Sequence, residues 1–125
     1  MRRSIAAILA VPTLLNGLVM LVAGPFWYGS VPGVTATGPF NPHFVQDIGA
    51  AFLVAGLALA ARAWRPAYWP AAVAGAAFLA VHALLHLVMI TAGHDHHAGF
   101  DLVAIVFSSA LALYSAFPTP GERHA

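Results

Sequence analysis

Residues 4–27 read SIAAILAVPTLLNGLVMLVAGPFW and carry no charged side chain. A helix needs about 20 mostly apolar residues to cross the hydrocarbon core of a bilayer. The run therefore predicts a membrane-spanning helix, which Pro12 is expected to kink. Its apolar length exceeds the roughly 7–15 residues of a signal-peptide core, so we expect a retained helix and not a cleaved leader.

Three further apolar runs follow, at about residues 43–63, 67–92 and 98–117. They are separated by the segments YGSVPGVTATGPFNP, RAWRP and GHDHH, which are rich in helix-breaking or polar residues. The 125 residues are 61% hydrophobic and 7% charged, against about 25% charged in soluble domains. Lipid-exposed backbone must satisfy its own hydrogen bonds, which favours helices. We predict a single all-α domain, a four-helix transmembrane bundle in a lipid bilayer with up-down-up-down topology.

Composition also excludes several functions. The formal charge of +1 gives no basic field, so nucleic acid is not an expected partner. The chain has no cysteine, which excludes disulfides, thiolate catalysis, iron–sulfur clusters and cysteine-ligated zinc. No Ser-His-Asp order or phosphate-binding loop is present, and the sequence leaves open whether the protein is an enzyme.

The arginines predict the orientation. They lie before the first span, between the second and third, and after the fourth, at Arg2, Arg3, Arg62, Arg65 and Arg123. With alternating spans all five share one side, which the positive-inside rule makes cytoplasmic. Both termini are then cytoplasmic. Trp64, Tyr68 and Trp69 form the inner aromatic belt in this arrangement.

Most histidines and acids fall in the opposite, outer half of the bundle. His43 and Asp47 enter the second span, and His82 and His86 lie in the outer half of the third. His97 and Asp101 enter the fourth span, and the connecting loop adds His94, Asp95 and His96. Buried polar side chains need partners, since an unpaired one costs about 1–3 kcal/mol. We expect the two acids and two histidines within the spans to point into the bundle: Asp47, Asp101, His82 and His86.

A transition-metal ion would provide the buried polar side chains with a partner. Three pairs of His-x-x-x-His or His-x-x-x-Asp each place two ligands on one helical face. The candidate ligands are His43, Asp47, His82, His86, His97 and Asp101, with His94 and His96 as a capture loop. Imidazole and carboxylate suit Zn, Fe, Cu or Mn, and helical bundles build such sites from facing side chains. The predicted function is metal binding open to the extracytoplasmic side, with a redox or metal-handling role.

Two alternatives use the same residues differently. His86 with His43 or His97 would provide axial ligands for a haem. In a purely structural interpretation Asn41 caps the second helix, His–Asp pairs satisfy each other, and His82 bonds Asn16. The protein would then be a non-catalytic accessory or assembly subunit of a larger membrane complex, or a homo-oligomer.

The second and fourth spans also share a pattern. HFVQDIGAAFLVAGLAL and HAGFDLVAIVFSSALAL align without a gap from His43 and His97, and each begins with a His-x-x-x-Asp pair. Internal symmetry of this kind occurs in membrane proteins. The sequence does not decide whether this is a true repeat.

The run FNPHFVQDIGAAFLVAGLAL, together with HALLHL, resembles small four-helix membrane proteins of high-GC bacteria. The layout is similar to the broader class of DoxX-like membrane proteins. The resemblance implies a multi-pass protein of the bacterial cytoplasmic (inner) membrane and a link to quinone-coupled redox systems. No functional residue is carried over from it.

Overall fold

The computed structural model describes residues 1–93 and 97–122, and that part of the chain is almost entirely helical, without strands. Its main helices are α1 (Arg2–Val22), α2 (Gly24–Ser30), α3 (Pro42–Trp64), α4 (Trp69–Thr91) and α5 (Ala98–Ala116). Short 3₁₀ turns lie at Val34–Thr37, Pro66–Tyr68 and Pro120–Glu122. Within α5 the stretch Leu102–Phe107 is π-helical.

Four of these helices, α1, α3, α4 and α5, are long and apolar enough to cross a membrane. The predicted all-α four-helix bundle is confirmed, and its apolar surface fits a multi-pass protein in a lipid bilayer. The second span, predicted at 43–63, is the helix Pro42–Trp64, which Asn41 caps by accepting a hydrogen bond from the backbone N–H of Phe44.

The structure differs from the prediction at the outer end of the first span. The predicted span 4–27 divides at Ala23, whose φ of −140° and ψ of 42° are not helical. Helix α2 begins at the next residue, with Pro25 in its first turn. Proline lacks the N–H that a continuing helix requires but is well suited to a helix start, which explains the division. Pro12, by contrast, lies inside a continuous α1.

The four spans form a ring in which α1 packs on α3, α3 on α4, α4 on α5, and α5 on α1. Small residues let the backbones approach closely. A Cβ on Gly17 of α1 would lie 2.6 Å from the backbone nitrogen of Leu53, and one on Gly49 would lie 2.8 Å from Met20 Cβ. Such contacts are typical of helices that associate within lipid. The buried core is mostly alanine and leucine: Ala6, Ala10, Ala55, Leu59, Ala72, Ala76, Leu79, Ala112 and Ala116.

Arginine side chains join the helix ends on one side of the bundle, which we call the arginine end. Arg3 donates to the carbonyl oxygens of Ala63 and Trp64 at 3.0 and 2.8 Å. Arg2 donates to those of Phe117 and Pro118 at 3.0 and 2.9 Å. The last carbonyls of a helix have no intrahelical partner and carry partial negative charge. The N-terminal residues of α1 thus satisfy the C-terminal ends of α3 and α5.

Arg62 is fully buried at the same end. Its guanidinium donates to both carboxylate oxygens of Glu122, at 2.8 and 3.4 Å. It also donates to the carbonyls of Ala116 and Phe117 at 3.3 and 3.4 Å. The sequence suggested an interfacial charge that sets orientation. The structure shows a buried charge that fixes the C-terminal segment to α3.

We predict that Arg62→Met lowers the free energy of unfolding by about 1.5–3 kcal/mol, because charged hydrogen bonds are lost and two carbonyls lose a donor. Equilibrium unfolding in mixed micelles measures the change. Arg65→Met is the matched control, since within residues 1–93 and 97–122 the Arg65 side chain only stacks on Trp64, 4.4 Å from the ring centre. Equal losses in the two variants would show that the buried contacts of Arg62 contribute nothing specific.

Glu122 makes the same contact sensitive to acid. The backbone N–H of Thr119 and then the Arg62 guanidinium donate to its carboxylate and lower its pKa from 4.5 to about 2. A carboxylate whose pKa is lower in the folded state than in the unfolded state stabilises the fold at every pH above its unfolded pKa. For Glu122 this stabilisation is lost as the pH falls from about 4.5 towards about 2. We predict that wild type loses more stability than Glu122→Gln across that range. Parallel unfolding curves for the two proteins would contradict this.

Candidate functional site

Two histidines lie one turn apart on α4, in the half of the bundle away from the arginine end. At a rise of about 1.5 Å per residue, His86 is about 8 Å and His82 about 14 Å from the end of α4 at Thr91. Their rings meet edge to face with centroids 4.7 Å apart. The two rings of the predicted His-x-x-x-His pair, His82 and His86, are therefore in direct contact on one face of α4.

Asp101 joins this pair from α5. One carboxylate oxygen of Asp101 contacts Nδ1 of His86 across the helix interface. The Asp101 and His86 side chains are 10% and 23% exposed, so both are largely withdrawn from the surface. A carboxylate at Nδ1 holds the proton on that nitrogen and leaves Nε2 of a neutral imidazole as an acceptor or ligand.

The π-helical stretch of α5 explains why Asp101 faces inward. In a regular α-helix the eight steps from Asp101 to Ser109 turn a side chain about 80° past its starting direction. A π turn absorbs about one additional residue, so the two side chains come within about 20° of one another. Taken as whole residues, Asp101 and Ser109 are buried, at 7% and 5% exposed. The irregular turn thus places Asp101 on the packed face of α5.

Aromatic rings surround His82. Phe78, one turn away on α4, stacks on it at 6.3 Å, and Phe52 of α3 meets it edge to face at 5.5 Å. Within residues 1–93 and 97–122 the ring of His82 makes no hydrogen bond. The sequence analysis did not identify these two phenylalanines, although the position of Phe78 four residues before His82 already put it on the same face.

Asn16 is not the partner of His82. Its carbonyl oxygen accepts a hydrogen bond of 2.9 Å from the indole N–H of Trp27, and its amide points to the sulfur of Met20 at 3.6 Å. The break at Ala23 allows this contact, because it turns α2 so that Trp27 reaches back to α1. The bond proposed between His82 and Asn16 is therefore wrong.

His43 and Asp47 form a separate pair on the surface of α3. Nδ1 of His43 lies 3.7 Å from a carboxylate oxygen of Asp47, and the side chains are 87% and 63% exposed. The expectation that Asp47 would point into the bundle is wrong. The two His-x-x-x-Asp pairs are thus not equivalent, since Asp101 pairs with His86 of another helix.

His97 lies at the start of α5, where its carbonyl accepts from the backbone N–H groups of Phe100 and Asp101. Its ring borders the outer loop, and a Cβ on Gly33 would lie 3.2 Å from Cδ2. Gly33 has a φ of 83°, which also favours glycine. The predicted capture-loop residues His94 and His96 lie outside the described residues.

Of the six predicted ligands, the structure joins His82, His86 and Asp101 in one cluster, which we call the His–Asp cluster. Among residues 1–93 and 97–122, no three His, Cys, Asp or Glu side chains are arranged to hold a metal ion together. The six-ligand site stays a prediction. What the cluster offers is one histidine oriented by a carboxylate, and beside it a second histidine in apolar surroundings.

We predict that the contact with Asp101 fixes the Nδ1–H tautomer of neutral His86. Nitrogen-15 chemical shifts of labelled histidine in micelles distinguish the two ring nitrogens. Asp101→Ala is expected to move His86 to the Nε2–H tautomer, because the acceptor at Nδ1 is gone. His43 is the internal control and should not change. An unchanged His86 spectrum would mean that Asp101 does not set the tautomer.

The chain matches no protein-family model, no curated protein and no solved structure. The resemblance to DoxX-like membrane proteins accordingly stays a prediction, and any function has to be argued from the geometry of the chain.

Proposed function

We propose that this multi-pass protein resides in a bacterial inner membrane and binds a transition-metal ion at the His–Asp cluster, with His86 and His82 as ligands. The observation that carries the proposal is the contact between Asp101 and Nδ1 of His86. Histidines that ligate metals nearly always donate their second ring N–H to a carboxylate or carbonyl. Asp101 is then an orienting group and not a ligand.

The spacing of the two histidines supports the same chemistry. Residues at positions i and i+4 present two imidazoles on one helical face, as in helical zinc sites. Imidazole suits Zn, Cu and Fe, and less readily Mn. Two protein ligands leave coordination positions open, a property of reactive and transfer sites more than of structural ones. This favours a redox or metal-handling role over a structural one.

The predicted orientation makes the site extracytoplasmic. The described arginines Arg2, Arg3, Arg62 and Arg65 lie at the opposite end of the bundle, and the positive-inside rule assigns that end to the cytoplasm. The ion would then arrive from outside the cell membrane, and the apolar rings of Phe52 and Phe78 would limit its passage beyond His82.

Metal loading tests the proposal. We expect purified protein, stripped with a chelator and then supplied with Zn, Cu, Fe or Mn salts, to retain about one equivalent of at least one metal. His86→Ala and His82→Ala should abolish retention, and Asp101→Asn should weaken affinity about 10- to 100-fold. Elemental analysis gives the stoichiometry and calorimetry the affinity.

Thr91→Ala is the matched control on the same helix, because among the described residues the Thr91 hydroxyl bonds only the carbonyl of Val88. Circular dichroism and elution volume verify that each variant is folded. Less than about a tenth of an equivalent of every metal, or wild-type retention without either histidine, would contradict the proposal and favour a packing role in an accessory subunit. A Soret band in the purified protein would instead identify haem.

A further inference from the structure

One exposed face of α3 is chemically divided. Its outer turns carry His43, Gln46 and Asp47, all exposed, whereas the positions that follow on the same face are apolar, Val54 and Leu57. We infer that the polar part of this face binds a second copy of the chain, with His43 of each copy pairing with Asp47 of the other. This contact is independent of the metal proposal, which uses α4 and α5.

The length of α3 puts Gln46 and Asp47 within the hydrocarbon core of the membrane and His43 at its boundary. The helix ends at Trp64 beside the arginine end, and a hydrocarbon core of about 30 Å takes about 20 residues of helix. Counting back from Trp64 brings the outer boundary of that core to about Phe44. Gln46 and Asp47 then lie about one turn inside it.

Polar side chains at that depth rarely face lipid. Acids and histidines in membrane helices nearly always face other protein, a water-filled cavity or one another. The separation of 3.7 Å between His43 Nδ1 and the Asp47 carboxylate is longer than a hydrogen bond, so the two exposed side chains form only a loose contact within one chain and keep hydrogen-bonding groups for a partner. Among the described residues Gln46 has no hydrogen-bond partner for its amide either.

The face is complementary to itself, which argues for a second copy. It carries a donor and an acceptor one turn apart, and a two-fold axis along the membrane normal keeps the two copies at equal depth, so that a contact of His43 with Asp47 of the other copy occurs twice. His43 of one copy then lies about 6 Å along the helix from Asp47 of the other. Side chains span a stagger of this size in the interhelical e and g pairs of coiled coils. The exposed Ala50, next on this face, lets the two backbones come close.

Cross-linking tests the geometry directly, because the chain has no cysteine. Ala50→Cys should give a disulfide-linked dimer when membranes are oxidised in the presence of a chelator. Ala104→Cys is the matched control, an exposed alanine on α5, the helix diagonally opposite α3. Equal cross-linking of both variants, or none of Ala50→Cys, overturns the inference.

The pairing itself is tested by the dimer dissociation constant in liposomes, measured by single-molecule photobleaching with chelator present. His43→Ala and Asp47→Asn should each raise it about three- to tenfold, and the exchanged variant His43→Asp with Asp47→His should restore it to within about threefold. A monomer at every density, unchanged dimers in the single variants, or dimers that need added metal would refute direct pairing. These outcomes leave the metal proposal untouched, because its ligands lie on α4.

Discussion

The C-terminal carbonyls of α3 and α5 need donors at the edge of the lipid, and the rest of the bundle depends on the arginines that supply them. Arg3 reaches Ala63 and Trp64, and Arg62 reaches Ala116, Phe117 and Glu122. Unsatisfied backbone groups in an apolar medium cost several kcal/mol. The arginines that predict the orientation therefore also tie α1, α3 and α5 together at one end.

Close packing between neighbouring spans continues from the arginine end into the other half of the bundle. Gly17, Gly49 and Gly75 bring backbones into contact where any Cβ would collide or crowd. Such contacts leave each helix little freedom to rotate about its axis. On α5 the π turn then corrects the direction of Asp101, so that it meets His86. An irregular turn beside a buried carboxylate is typical of a site under functional constraint.

Sequence patterns predicted the fold because the lengths of the apolar runs leave few other structures in lipid. They also placed His82, His86 and Asp101 in one region, since depth follows from residue count. They did not predict which acids are buried, because this depends on helix rotation, which the glycine contacts and the π turn determine. The burial of Arg62 was missed because its partner Glu122 lies 60 residues away, although among the described residues Glu122 is the only acid at the arginine end.

Asp47 and Asp101 pose one physical problem with two solutions. Each lies about 5–8 Å below the start of its helix, where lipid solvates a carboxylate poorly. Asp101 is turned inward and meets a histidine from α4, so the chain satisfies it alone and gains an oriented imidazole. Asp47 lies on regular helix facing outward, and its histidine is on its own helix, too far for a good bond. The two segments are therefore similar in sequence but differ in chemistry. Asp101 pairs with a histidine of another helix inside the bundle, whereas Asp47 and His43 stay together on an exposed face.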